Sequence, residues 1–449
     1  MSARYLKSLI AVVVLLVLWF SFTRWNKHKS QEETKKASQT SAQKLFSVKS
    51  GQVQSFSLTA RDGTAFTCEK QGKTWVITQP QPTSADQDKV NSFLQSLTSA
   101  TEDEQIAAHP SNLKDYGLDP AAETLAVTTD TAPFTLLLGD ETPTSSGVYA
   151  MVAGRPQVFT LADEVKTGLE KKLFDLRDTR AVTLSSDQID RIEVKNGTQS
   201  YTLAKNPDGA WNVLQPVSVR ADHFTVEGLT DNLQSLTMQS IVSESKTNGA
   251  KYGFSKPTLT VDLITPGGSQ TLVIGKHADQ GYYAMNSALG PIFTLDESSV
   301  SQFQKSASDF RDKNLFSWDM FDVKSFEVTT PKGRWAFEQN KNQWKQTAPA
   351  SKAVSSDDVN AFLSTLRGLQ AASFPPVQPG QPDKMDQFGL DKPSYTFKVA
   401  FGTKNQTEVV DVAQAGGKDY ARRASDTLPS EVSESSVAAI ENTFQKISK

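Results

Sequence analysis

The sequence predicts an α+β protein of three tandem repeats, each an antiparallel meander and sheet packed with two helices, preceded by one transmembrane helix. Two repeated features lead to this fold class. A tryptophan is followed five residues later by a proline three times, and a glycine preceded by an aromatic residue recurs at equal intervals. These landmarks are Trp75, Trp211, Trp344, Gly117, Gly253 and Gly389. Because each interval is as long as a domain of about 100–150 residues, each repeat can bury its own core.

The first element is an apolar run over residues 9–22, broken only by Ser21 and flanked by Arg4, Lys7 and Arg24. A membrane-spanning helix needs about 17–25 residues, and aromatic side chains at both ends extend this run. We therefore predict an uncleaved anchor over residues 1–26, in contact with membrane lipid. A cleaved signal peptide is the alternative, but bulky residues stand where a small-residue cleavage site belongs.

A polar linker follows at residues 27–44. It contains almost no apolar side chains, so we expect it to be disordered. The first 30 residues carry five basic and no acidic side chains, whereas the whole chain has 47 basic and 50 acidic ones, which leaves an acidic body of net charge −8. An acidic body disfavours nucleic acid as a partner. The single cysteine, Cys68, excludes an internal disulfide framework.

Each repeat then begins with a predicted three-stranded meander that ends in the tryptophan strand. In the first copy the strands start near Val53, at Ala65 and at Trp75, and Gly63 and Gly72 lie in the turns between them. The second and third copies have Asn-Gly, Asp-Gly and Lys-Gly turns at the corresponding places. Such turns between alternating apolar residues indicate antiparallel hairpins.

A helix is predicted after each proline of the Trp-x4-Pro motif. Asp86, Asp222 and Asp357 suit the helix starts, where a carboxylate can cap free N–H groups. Apolar residues then recur at spacings of three, four and seven, which places them on one helical face. They are Val90, Phe93, Leu94 and Leu97, then Val226, Leu229 and Leu233, then Val359, Phe362, Leu363 and Leu366.

The second half of each repeat contains further strands and a closing helix. Two strands follow the aromatic-Gly turn, and the next strand carries a third landmark, Tyr149, Tyr283 or Tyr420. Closing helices are predicted over residues 163–174, 297–310 and 434–447. The repeats are accordingly assigned to residues 45–180, 181–317 and 318–449.

Several landmark residues could be read as functional. The tryptophans could stack on a sugar or a base, but their strand position among apolar neighbours favours a core role. The glycine motif favours a tight turn over a binding loop. The pairs Arg177-Asp178 and Arg311-Asp312 recur where two repeats end, and could dock a partner or form a helix-end or inter-domain ion pair.

No catalytic, metal or cofactor site is predicted. The four histidines do not recur between repeats and lack metal-ligand spacing. The chain has no G-x-S-x-G, H-E-x-x-H or Walker motif. Paired aspartates at the helix starts are better explained by the helix dipole than by glycosidase chemistry. We therefore expect no enzyme activity.

The ordered set of motifs resembles the bacterial domain of unknown function 4340 family. The motifs are Trp-x4-Pro, an amphipathic helix, 116-Tyr-Gly-Leu-Asp-Pro-120, Gly139-Asp140-Glu141, Tyr149-Ala150-Met151 and Arg177-Asp178. The third copy is a weaker match, because it lacks the glycine after its Val412 strand and the terminal Arg-Asp. The resemblance implies an N-terminal anchor and a partner among the permease and ATPase subunits of ABC-2-type or gliding-motility-like exporters.

The resulting expectation is a single-pass protein of the inner membrane whose repeats project into the periplasm. It would act as a non-catalytic accessory protein of an ABC-type transporter or envelope complex. A module that binds envelope glycan or lipid, and a hydrolase with an unfamiliar site, are the alternatives. The oligomeric state and the cargo stay open.

Overall fold

The computed structural model describes residues 44–197, 199–341, 343–375 and 385–449. The predicted anchor and all of the predicted linker except Lys44 lie outside these residues. Within the described ranges, no helix has both the length and the apolar composition needed to cross a bilayer.

The chain divides into two compact units, one ending at Thr179 and the other running Arg180–Lys449. The first unit contains one nine-stranded antiparallel sheet, and the second contains two. The fold is thus predominantly β, with the same sheet built three times, as the repeats predicted.

The sheet of the first repeat places the meander beside the second half of the repeat. Its order is β4-β3-β2-β1-β6-β7-β8-β9-β5. The central pair is β1 with β6, where Phe56 lies opposite Val127 and Leu58 opposite Leu125. The strands are β1 Val53–Ala60, β2 Ala65–Gln71, β3 Thr74–Gln79, β4 Thr83–Ser84, β5 Gln105–Ala107, β6 Glu123–Thr129, β7 Phe134–Glu141, β8 Gly147–Val152 and β9 Val158–Ala162.

The second and third sheets have the same strand order. The second comprises β10 Arg191–Lys195, β11 Tyr201–Lys205, β12 Trp211–Gln215, β13 Val219–Arg220, β14 Ser240–Ser243, β15 Leu259–Thr265, β16 Gly268–His277, β17 Tyr282–Asn286 and β18 Ile292–Leu295. The third comprises β19 Val323–Thr330, β20 Gly333–Asn340, β21 Gln343–Ala348, β22 Lys352–Ala353, β23 Ala371–Ser373, β24 Tyr395–Phe401, β25 Gln406–Ala415, β26 Lys418–Arg423 and β27 Ser430–Val432. The short edge strands β5, β14 and β23 are absent from the prediction, since three or four residues give too little alternation to be recognised.

A long helix follows each meander, as predicted, at Gln87–Ser99, His223–Ser235 and Ser356–Arg367. Every apolar residue assigned to its inner face is buried. Asp86 and Asp222 cap the first two helices through backbone N–H groups. The third prediction was wrong in detail: Ser355 is the cap, and Asp357 lies in the first turn, where the helix dipole still favours it.

The closing helix differs between the repeats. It is continuous only in the third, at Glu434–Ser448. In the first it is split into Asp163–Leu169 and Leu173–Leu176. In the second it is Glu297–Ser301 followed by 3-10 turns at Gln302–Gln304 and Ala307–Phe310. The continuous helices predicted for the first two repeats are therefore wrong, because Lys172 and Ser306 have an extended backbone that interrupts the helix.

Each core lies between the sheet and its helices. In the first repeat the ring centroids of Phe56 and Phe93 are 4.7 Å apart, and in the third those of Phe326 and Phe362 are 5.3 Å apart. The three cores consist of separate sets of buried residues. Each sheet is therefore packed around a core of its own.

Candidate functional site

The three landmark tryptophans lie in the cores. Trp75, Trp211 and Trp344 are 5%, 7% and 4% exposed. Trp75 packs on Phe56 and Trp344 on Phe326, with ring centroids 5.5 Å and 5.4 Å apart. The side chains are thus too buried to serve as open stacking platforms. The peptide bond before the proline of each motif is cis.

The glycine and tyrosine landmarks come together in a way that the sequence did not reveal. The aromatic residue before each glycine packs against the tyrosine landmark of the same repeat. The pairs are Tyr116 with Tyr149, Tyr252 with Tyr283, and Phe388 with Tyr420, with ring centroids 5.1, 5.0 and 4.9 Å apart. The repeated aromatics therefore join the aromatic-Gly turn to the sheet.

Each landmark glycine ends a 3-10 turn in the left-handed region, with φ of 65° at Gly117, 90° at Gly253 and 71° at Gly389. A Cβ atom at Gly253 would lie 2.6 Å from the backbone nitrogen of Lys276. Both the positive φ and the close backbone therefore require glycine.

The Arg-Asp pairs occupy equivalent places at the ends of the first two repeats. Arg177 forms a β-bridge with Ala85, and the Asp178 amide donates to the Ser84 carbonyl over 3.0 Å. Arg311 forms a β-bridge with Ala221, and the Asp312 amide donates to the Arg220 carbonyl, also over 3.0 Å. In both repeats the pair closes the domain by lying beside the segment before the long helix.

In the second unit these residues also meet the third repeat. Arg311 is 3% exposed, its Nη2 donates to the Pro429 carbonyl over 3.2 Å, and its guanidinium lies 3.9 Å from the Phe374 ring centroid. Burial lowers the pKa of Arg311 to about 10, while Asp426 opposes that change. A buried guanidinium over an aromatic face gains cation–π attraction in place of hydration.

Arg220 connects the same region to two acidic residues. Its Nε lies 2.8 Å from Asp312 as an ion pair without hydrogen-bond alignment, and its Nη1 donates to Glu408 over 2.9 Å. The Glu408 carboxylate also accepts from the Ser317 amide over 2.9 Å. Arg220 thereby bridges the second repeat to the third.

A second buried pair completes the network. Arg423 and Asp426 approach to 2.7 Å, with side chains 5% and 3% exposed. Asp426 also accepts from the Arg220 amide over 3.3 Å, and Arg423 donates to the Asn314 carbonyl. We call this network the joint: it comprises Arg220, Arg311, Asp312, Glu408, Arg423 and Asp426. Its three cations and three anions balance in number, but Arg311 contacts the Pro429 carbonyl and the Phe374 ring and forms no ion pair with a carboxylate of the joint.

The sequence identified only Arg311 and Asp312 of the joint. The other four members carry no repeat signal: Arg220 and Glu408 are partners from different repeats, and the Arg423–Asp426 pair occurs in the third repeat only. A pair of charges that is distant in sequence and occurs once cannot be recognised from a single sequence.

Among the described residues, each repeat contains a cavity. The first repeat has one of about 490 Å³ between its long helix and closing segment, and the second has one of about 490 Å³ whose wall includes Tyr283. The third repeat has one of about 300 Å³ beneath its closing helix. We call the last the acidic pocket; its charged walls are Asp419, Glu434 and Glu441. In the described part of the chain, no three His, Cys, Asp or Glu side chains group as metal ligands.

The part of the chain that carries most of the repeat landmarks matches the model of a known protein family. The model of the domain of unknown function (DUF4340) matches residues 75–217 and 211–393. The chain belongs to this family. Comparisons of this chain with curated proteins and with solved structures found no match.

The matched segments of this DUF4340 chain begin at Trp75 and Trp211. The first segment continues past Pro216, into the meander of the second sheet, and the second ends at Pro393. Each therefore combines the helix and second half of one sheet with the first strands of the next, and the second segment also includes the long helix Ser356–Arg367 of the third repeat. Each family match therefore starts within a meander and not at the first strand of a sheet, although the two matches start at the same interval along the chain as the repeats.

Proposed function

We propose that the chain is a non-catalytic, membrane-anchored accessory protein of an ABC-type transporter or related envelope complex, of the ABC-2 or gliding-motility type. It would be held in the inner membrane by residues 1–26 and act through its repeats on the periplasmic side. The anchor, the compartment and the transporter are supported by the apolar run at residues 9–22 and by the family resemblance.

The observation that carries the proposal is the joint. Two copies of one sheet domain are connected by a network of buried and half-buried charges rather than by a flexible linker alone. Such a network costs desolvation and gains orientation, since a planar guanidinium binds its partners in a fixed geometry. A fixed orientation between repeated domains suits a protein that presents binding surfaces to other subunits.

One observation favours a second function, an envelope glycan- or lipid-binding module. The cavity of the second repeat has Tyr283 in its wall beside the polar side chains of Gln239, Asp279 and Gln280. An aromatic ring among hydrogen-bonding groups is a common way to hold a polar ligand such as a sugar.

The test is a pull-down of the tagged full-length protein from detergent-solubilised membranes, read by mass spectrometry. Recovery of a permease and an ATPase in near-stoichiometric amounts would support the accessory role. A second single-pass protein with the same tag is the control for non-specific capture. Recovery of the protein alone would oppose the transporter proposal, and binding to cell-wall fractions that Tyr283→Ala abolishes would favour the glycan-binding module.

A further inference from the structure

We propose that the acidic pocket of the third repeat binds an alkylammonium group, supplied by a lysine side chain of a partner protein. The pocket lies between the start of β24, the strands β25 and β26, and one face of the closing helix. This inference goes beyond the proposed function: the alkylammonium site rests on the pocket alone, and only its assignment to a partner protein rests on the proposed function.

Asp419 is the first reason. It is 7% exposed, it lines the pocket, and its carboxylate has no hydrogen-bond or ion-pair partner among the described residues. Burial raises its pKa, and the charges of Glu434 and Glu441 raise it further. The neighbouring cation, Lys418, is engaged elsewhere with Glu431 at 2.8 Å. A proton or a nearby cation would stabilise a carboxylate in this setting.

The position of Asp419 in the sheet is the second reason. Ala421 pairs with Val412 in the third repeat as Ala150 pairs with Leu138 in the first, so the two alanines are equivalent. Asp419 and Val148 each lie two residues before the alanine and therefore correspond to each other. Val148 is an apolar core residue, 2% exposed. The fold is therefore built without an acid at this position in the first repeat, so the sheet itself does not require Asp419.

The first repeat also shows which cation suits this place. Counted from the helix start, Lys166 corresponds to Val437 and Glu170 to Glu441. The Lys166 ammonium lies 2.9 Å from Glu141 and 3.9 Å from Glu170. The first repeat thus places its own ammonium group among the carboxylates under its closing helix. The third repeat keeps carboxylates there but has Val437 in place of the lysine.

The pocket wall is suited to a ligand with an apolar stem. Glu441 is oriented by the Tyr395 hydroxyl, which donates to it over 2.9 Å. Val412, Val437 and Ala438 supply apolar surface beside the carboxylates. The volume of about 300 Å³ lies at the small end of ligand cavities. A lysine side chain combines a methylene stem with a terminal ammonium and matches both features.

A protein source is favoured over an aminolipid headgroup by the proposed accessory role, on which this one step of the inference rests. That role supplies protein partners, whose surfaces commonly carry lysine.

The test uses Nα-acetyl-lysine methylamide as the probe and the full-length protein in detergent, observed by ligand-detected saturation-transfer NMR. The matched probe is Nα-acetyl-norleucine methylamide, which keeps the stem and lacks the ammonium. We expect binding of the lysine probe, at least ~10-fold weaker binding of the norleucine probe, and a similar loss for Asp419→Asn. Asp208→Asn, an equal charge change at an exposed turn of the second repeat, should bind like the wild type.

Val437→Lys is the second variant, since it gives the third repeat the internal ammonium of the first. It should abolish binding of the lysine probe. Equal binding of both probes, or undiminished binding by Asp419→Asn, would overturn the proposal. Should Asp419→Asn fail to fold, Val437→Lys decides, and unchanged binding by that variant would overturn it. Asp419-dependent binding to phosphatidylethanolamine vesicles, with no response to the lysine probe, would overturn the assignment to a protein lysine.

Discussion

The joint and the acidic pocket each contain a buried aspartate of the third repeat, and the two aspartates differ in their partners. Asp426 is 5% exposed and pairs with Arg423 and with the Arg220 amide. Asp419 is 7% exposed and has no partner among the described residues. Both are carboxylates at equal depth, so burial alone does not distinguish them. The difference lies in whether the chain supplies the compensating charge.

The comparison separates architecture from binding. A buried charge that is paired within the chain fixes how two parts of the chain meet, as in the joint. A buried charge without such a partner leaves part of its solvation cost uncompensated, and an external group can compensate it. The predictions below test this distinction, from the largest expected effect to the smallest.

The largest effect is expected for Asp426→Asn. The substitution removes the closest anion of the buried Arg423 guanidinium and leaves only Asp312 at 4.0 Å; breaking such a pair costs about 3–5 kcal/mol. We expect the free energy of unfolding of the second unit to fall by this amount in chemical denaturation. Asp208→Asn should leave it unchanged. A loss below about 1 kcal/mol for Asp426→Asn would mean that the joint does not depend on this pair.

The next effect concerns Glu123, the residue of the first repeat that corresponds to Tyr395. Burial, and then the charge of Glu170, raise the pKa of Glu123 to about 7, whereas Lys171 opposes the change. The folded state therefore binds a proton more tightly than the unfolded state, and stability falls as the pH rises from 4.5 to about 7. Glu123→Gln removes this loss.

The variant should accordingly gain about 1–2 kcal/mol relative to the wild type across that pH range, after allowance for partial exposure. The measurement is chemical denaturation of both proteins at several pH values. Parallel stability curves would contradict the prediction.

A smaller effect, of opposite sign to that of Asp426→Asn, is expected for Asp419→Val. The substitution gives the third repeat the valine that the first repeat has at the corresponding position, Val148, and removes a buried carboxylate that has no partner. We expect the unfolding free energy at neutral pH to rise by about 1 kcal/mol. A clear loss of stability would show that Asp419 has a structural role, and would remove the contrast with Asp426.

The smallest effect is expected for Lys166→Met in the first repeat. Its partners Glu141 and Glu170 are 63% and 57% exposed, so water can solvate them once the ammonium is lost. The loss should stay below about 1 kcal/mol in thermal or chemical unfolding. The same variant should acquire weak affinity for the lysine probe, and its failure to do so would weaken the analogy between the two repeats.

The repeated parts of the fold could be predicted from the sequence. The meanders, the three long helices and their buried faces follow from local turn chemistry and periodicity, and each signal was present three times. The short edge strands and the breaks in the closing helices could not be predicted. The edge strands depend on which backbone groups find partners across the sheet, as at Gln105 opposite Phe159. The helix breaks depend on single extended residues such as Lys172, which periodicity does not mark.

The functional candidates divide in the same way. The tryptophan, glycine and tyrosine landmarks were visible as repeats, and they lie in cores and turns because whatever the fold requires recurs with the fold. Asp419 and Asp426 attracted no attention, because each occurs in one repeat only. When the repeats are aligned through their strand registers, Asp419 stands where the first repeat has a valine. Such a difference between repeats is the signal that could have indicated Asp419.

The sequence by itself determined the repeat architecture, the family and the positions of the core residues, since these rest on periodic, local interactions. Only the tertiary structure decided which charges meet. Arg220 reaches Glu408 and Arg311 reaches Pro429 across more than a hundred residues of chain. Coulombic and hydrogen-bond energies depend on distance and burial, and neither quantity is encoded in sequence spacing.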